Sequence, residues 1–131
     1  MKKSWRIFLI IILALVAFLG GSWGYLMYGL RETLNVTIEN VDLSNLENGV
    51  YRGQYRKGRF AYQVEVMVQN HTIETITLTQ VPRISIPAVH EEMVKRVKEA
   101  GSLAVDTVAS ATASSKAILK AVENALQKQV K

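Results

Sequence analysis

The sequence contains no cysteine. Disulfides, thiol catalysis, iron–sulfur clusters and cysteine-type zinc sites are therefore excluded. Histidine is almost as scarce. His71 and His90 are the two present, too few for most histidine-based metal sites, and no metal centre is expected. No charged residue falls between Arg6 and Arg31, a gap of 24 residues. There is no internal repeat and no low-complexity tract. Beyond Arg6 neither sign of charge dominates. Thirteen of the 16 basic residues remain against all 11 acidic ones, a net charge of +2. The isoelectric point near 9.6 thus owes much to the first six residues. Charge gives nucleic-acid binding no support.

The charge-free gap is filled by IFLIIILALVAFLGGSWGYLMYGL, Ile7 to Leu30. A bilayer core about 30 Å thick needs roughly 20 apolar residues as a helix, so this run is long enough to span. A cleavable signal has an apolar region of about 7–15 residues that ends in a small-x-small site. Gly20, Gly21 and Ser22 give a weak version of such a site. The longer run makes an uncleaved anchor the expectation. Trp5 and Trp23 flank the run, followed by Tyr25 and Tyr28, and aromatic rings favour the membrane–water interface. Lys2, Lys3 and Arg6 precede the run with no acid among them. Positive flanks stay in the cytoplasm. The expected organisation is therefore a single-pass protein of the cell membrane. Residues 1–30 form the cytoplasmic N-terminus and transmembrane anchor, and residues 31–131 form an extracytoplasmic domain.

About 100 residues suffice for one core. Leu34, Val36 and Ile38 alternate with polar neighbours and predict a short strand. Residues 49–55 and 60–68 read as two further strands with Gly58 in the turn between them, and Tyr62, Val64, Val66 and Val68 share one face. Residues 72–79 read as another strand, with Ile73, Thr75, Thr77 and Thr79 opposing Glu74, Ile76 and Leu78. Gln69-Asn70-His71 makes the hairpin connection, since Asn tolerates positive φ. The last three strands predict an antiparallel meander. Pro87 suits the first turn of a helix, and Gly101 suits its end. Val89, Met93, Val97 and Ala100 fall on one face of that helix. Glu91–Lys95 and Glu92–Arg96 are i,i+4 pairs, and His90 is expected at the surface. A final helix is predicted over about 114–128. Ile118, Ala121, Val122, Ala125 and Leu126 face inward, and Lys116, Lys120, Glu123, Asn124 and Lys128 face water. The class is α+β: an N-terminal transmembrane helix, then a small antiparallel sheet with two helices packed on it.

The chemistry concentrates in DTVASATASSK, Asp106 to Lys116. Its one acid looks buried, and small and hydroxyl residues then lead into the last helix. A helix N-terminus with small neighbours binds phosphate readily. A Ser/Thr cluster there also serves as an N-cap, and the residues leave both readings open. Arg52, Arg56, Lys57 and Arg59 crowd one hairpin, either as a solvated turn or as a patch for phosphate or anionic lipid.

This stretch resembles the end of the FMN-binding domain family, whose pattern is Asp-x-x-(Ser/Thr)-Gly-Ala-(Thr/Ser) followed by x-(Thr/Ser)-Ser. Asp106, Ala111, Thr112, Ser114 and Ser115 match it. Ala109 stands where the family has Ser or Thr, and Ser110 where it has Gly. SSKAILKAVENAL resembles the family's last helix, VDLSNLENGVYRGQY its strand entry and VEVMVQNHTIETITL its central hairpin. The likeness covers roughly residues 38–128. The family includes domains of the sodium-translocating NADH:quinone oxidoreductase and of Rnf-type complexes. The resemblance implies FMN as cofactor, joined by a phosphoester to Thr112 after a flavin transferase splits FAD. Asp106, Ala109, Ser110, Ala111, Ser114 and Ser115 would line that site. It implies a membrane-anchored flavin electron carrier serving redox partner proteins or a quinone pool. The alternative is a non-redox interaction module on the same fold that has lost its flavin. A domain this small is expected to be an electron-transfer module rather than a complete enzyme, and no catalytic residue is assigned.

Overall fold

The computed structural model describes residues 2–127. Helix α1, Lys2–Met27, carries the apolar run and buries no residue against the rest of the chain. The stretch Lys2–Leu34 is long and apolar enough to cross a bilayer. The short helix α2, Leu30–Leu34, follows Gly29, whose φ of 79° breaks the axis.

The next stretch corrects an expectation. No strand forms over residues 34–39: Leu34 ends α2, and the chain then runs as an irregular segment. Asn35 and Val36 N–H donate back to the Arg31 and Thr33 carbonyls of α2, and lysine side chains from α4 take two of the carbonyls. Lys116 Nζ donates to the Leu34 carbonyl at 2.6 Å, and Lys120 Nζ donates to that of Thr37 at 3.3 Å. The apolar alternation still has meaning, because Ile38 packs against the core.

Three strands follow: β1 Gly49–Lys57, β2 Phe60–Gln69 and β3 Thr72–Gln80. They form one antiparallel sheet in the order β1-β2-β3, the expected meander. Asn70 and His71, at φ 52° and 61°, make the β2–β3 turn. On β2 every second residue from Phe60 to Val68 is buried, the alternation of a one-faced sheet. On β3 the predicted faces are wrong after Ile73. Val68 pairs with Ile73 but Met67 pairs with Thr75, so Glu74 is an extra residue. Such a bulge shifts later side chains to the other face. Ile76 and Leu78 therefore turn to the core in place of Thr75 and Thr77.

Helix α3, Pro87–Ala100, has proline in its first turn and ends on Gly101 at φ 64°. Val89, Met93 and Val97 are buried as expected, but Ala100 is exposed. His90 is also buried, at 8% exposure, against the surface position expected. Its spacing to Met93 and Val97 puts it on the inner face. Glu92 pairs with Arg96 at 3.0 Å, and among the described residues Glu91 and Lys95 form no ion pair.

Helix α4, Thr112–Gln127, begins two residues before the predicted start, after a 3₁₀ turn over Ala109–Ala111. Ten of its 16 residues are buried, so two sides must be covered. The sheet covers one, and α2 and α3 pack against the rest of the helix. All five predicted inward residues are buried. Ile118, Val122 and Leu126 each contribute roughly 1.5–3 kcal/mol by leaving water. Glu123 is not on the water face: it is 1% exposed. Lys120 Nζ lies 2.8 Å from its Oε2, an ion pair off the hydrogen-bonding direction. Gln127 donates to its Oε1 at 3.2 Å. Lys128 lies outside the described residues.

Candidate functional site

Antiparallel order brings distant parts of the chain to one end of the domain. The β1–β2 turn, the exit of β3 and the starts of α3 and α4 meet there, beside the end of α1. A cavity of about 410 Å³ opens between them, within the roughly 300–1,000 Å³ range of small-molecule sites. Leu30, Leu34, Phe60, Ile84, Ile86 and Val89 give it apolar walls. Ala109, Ser110, Ala111, Thr112 and Ser114 form the opposite side, and Arg59 completes it.

Each part is held for a local reason. Arg59 Nε donates to the Leu26 carbonyl at 2.9 Å, and its guanidinium carbon sits 4.4 Å from the Phe60 ring centroid. The charge is thus fixed against an aromatic face. The 3₁₀ turn closes with Ala111 N–H donating to the Val108 carbonyl at 2.9 Å. Thr112 then opens the 16-residue α4, half-buried at the cavity wall. A helix start of this kind carries partial positive charge and donor N–H groups.

Ser110 sits in a 3₁₀ turn, and among the described non-glycine residues positive φ occurs at Asn70 and His71. Serine at this position therefore carries no left-handed strain. Ser115 is fully buried and points inward, its Oγ accepting from Val108 N–H at 3.1 Å. It braces the turn and does not line the cavity. Asp106 is exposed, against its buried look in the sequence. It lines a separate cavity with Arg96 and Glu99, and Ala109 belongs to both. Arg96 Nη1 donates to its carbonyl at 2.9 Å. The structure thus gathers Ala109, Ser110, Ala111, Thr112 and Ser114 around one space, with Ser115 behind them and Asp106 outside.

Beneath the cavity, the Tyr62 hydroxyl lies 3.4 Å from His90 Nε2, with the rings edge to face at 5.5 Å. Burial raises the Tyr62 pKa above its ordinary value, while Ser114 and Arg59 pull it down. Burial lowers that of His90. Both groups are therefore held neutral near neutral pH.

The sequence alone did not single out Arg59, Phe60, Tyr62 or the Ile84–Ile86 wall as site residues. Arg59 stood among four basic residues with nothing to separate it from the other three. Only the strand register carries it to the start of α4. Another cavity, of about 440 Å³, lies on the uncovered face of the sheet, lined by Arg52, Gln54, Gln63, Glu65 and Thr79. Its lining side chains are mostly polar, and of the residues singled out in the sequence it holds Arg52 but none of the Asp106–Ser115 set. Among the described residues no cluster fit for a metal ion occurs.

A family model described as FMN-binding domain matches residues 29–127. The match takes in both sides of the cavity, from Leu30 to Ser114. No curated protein matches the chain.

Proposed function

The chain belongs to the FMN-binding domain family, and on that premise we propose that it is a membrane-anchored flavin electron carrier whose domain lies outside the cytoplasm, with FMN joined to Thr112. One observation carries the reading. The Ala109–Ser114 run, the Arg59 guanidinium and the apolar walls share a single space. The residues present fit the group: a cation, hydroxyls and a helix start suit a phosphate, and Leu34, Phe60, Ile84 and Ile86 suit a flat ring system.

Thr112 supplies the acceptor oxygen. Its hydroxyl would displace AMP from FAD at the FMN-side phosphorus, the phosphoanhydride breaking as the phosphoester forms and the hydroxyl proton passing to the flavin transferase. Arg59 would neutralise the phosphodiester, and Ser110 and Ser114 would offer hydroxyls to its oxygens. The neutral Tyr62–His90 pair keeps the floor beneath uncharged. Bound flavin supplies electron transfer, and the protein supplies attachment and environment. The anchor and the basic N-terminus support placing the domain outside, where redox partner proteins or a quinone pool would exchange electrons with it.

The intact mass of the full chain, expressed with a flavin transferase, tests this. One FMN less one water is expected on the wild type and none on Thr112→Ala. An unmodified wild type would refute the covalent link. A non-redox interaction module on the same fold is the second reading, favoured by the position of Asp106 away from the cavity. No FMN binding in a fluorescence titration of the unmodified chain would establish that reading.

A further inference from the structure

The end of α1 is fastened to the domain without a free linker. A Cβ on Gly29 would meet the Lys57 carbonyl oxygen at 2.4 Å, and one on Gly58 would meet that of Tyr28 at 2.4 Å. Arg59 adds its bond to the Leu26 carbonyl. The β1–β2 turn therefore sits at the end of the apolar helix.

The connection from β3 to α3 emerges at the same end. It presents Ile84 and Ile86, each 59% exposed, and Val81 at 40%. Ile84 and Ile86 share the cavity wall with Leu30 and Leu34, so this rim continues the apolar surface of the anchor. Exposed basic residues lie on the elements that meet at this end: Arg31 on α2, Arg56 and Lys57 at the end of β1, and Arg83 in the loop itself, with Glu32 as an acid on α2. Exposed apolar side chains continuous with a long apolar helix, with cations on the same elements, suit a bilayer surface.

We infer that the Val81–Ile86 loop is a second membrane contact: Ile84 and Ile86 enter the outer face of the bilayer, and the cavity mouth opens at the lipid boundary. The inference rests on α1 as the anchor and is independent of flavin attachment. The occupant is lipid, because the rim is continuous with a helix whose apolar side chains are exposed all round.

The absence of cysteine makes a site-directed test direct. Single cysteines at Leu13, Val50, Ile84 and Ile86 of the full chain carry a nitroxide label, and all four positions are exposed. The protein is placed in nanodiscs of equal parts phosphatidylglycerol and phosphatidylcholine. Collision with oxygen reports lipid, and collision with a water-soluble nickel chelate reports water. Val50 is seven residues up β1 from the turn, roughly 23 Å away. The expected result is an oxygen-to-nickel ratio at 84 and 86 several-fold above that at 50 and approaching that at 13. Water at 84 and 86 with lipid at 13 overturns this inference alone. Water at 13 overturns the anchor as well. Dipolar broadening at 84 that vanishes on dilution with unlabelled protein assigns the rim to a second copy and also overturns it.

Discussion

β1 and α4 approach closely at Gly53, and adding one methyl there tests how the two are fitted. A Cβ at Gly53 would lie 2.2 Å from the Ala125 nitrogen, 2.5 Å from the Ala121 carbonyl oxygen and 2.5 Å from the Ala125 Cα. All three are backbone atoms, so no side chain can swing aside. An ordinary contact begins at 3.4 Å, and α4 must retreat by about 1.2 Å to reach it. The φ of Gly53 is not in the positive range, so the cost is one of space and not of conformation. Overpacking of this kind costs about 1–3 kcal/mol. For a domain of this size each kcal/mol lowers Tm by roughly 4–8 °C. Gly53→Ala should therefore melt at least about 4 °C below the wild type. Near-ultraviolet circular dichroism is the assay, because Tyr51, Tyr55 and Tyr62 belong to the folded part and report its loss. Gly49→Ala is the control: it lies on the same strand with nothing within 4 Å of its Cβ. Equal melting of Gly53→Ala and Gly49→Ala would refute the close fit. Because Thr112 opens α4, the same retreat should also lower flavin incorporation.

Further tests concern the buried polar groups and the cavity. Above pH 6.5 His90 is neutral in both native and unfolded states. As pH falls below 6.5 the unfolded chain takes up the proton first, and stability is lost until the lowered native pKa is passed. His90→Gln should remove that loss in denaturant midpoints, and parallel wild-type and variant curves below pH 6.5 would contradict it. Lys120→Met leaves the Glu123 carboxylate buried without its cation and should cost about 3 kcal/mol, most of it recovered when Glu123→Gln is added. A single variant as stable as the wild type would show that the pair contributes nothing. Arg59→Met removes the cation of the cavity. A charged hydrogen bond is worth about 1.5–3 kcal/mol, so FMN titrated into the Thr112→Ala background should bind roughly 10- to 150-fold more weakly. Unchanged affinity would remove Arg59 from the phosphate site.

What the sequence made legible was what repeats along the chain. The three-strand meander, the Asn70-His71 turn, the proline and glycine ends of α3 and the inner face of α4 all follow from local pattern. What it hid depends on partners far away in sequence. The alternation over 34–39 looked like a strand, but Lys116 and Lys120, more than 80 residues on, take two of its carbonyls. Glu123 looked like a water-facing residue because α4 was read with one buried side, whereas α2 and α3 pack on it as well as the sheet. The β3 faces inverted because one extra residue at Glu74 is invisible to a count by twos. Within the candidate site, the hydroxyl run was legible as chemistry, and its company was not. Arg59, Phe60 and Ile84 reach Thr112 only through strand register and a loop without regular structure.

The order of elements has a consequence in time. The three strands come first, and α4, which closes their apolar face, comes after them. A small sheet with no cover is marginal in water. A chain emerging from its N-terminus thus carries Tyr62, Val64, Val66 and Val68 uncovered until residues near 126 have appeared. The domain has no early folded half: its sheet is closed only when α4 has followed. A truncation before Thr112 would remove more than the proposed attachment residue: it would leave the apolar helix α1 trailing an unfinished sheet with its apolar face exposed.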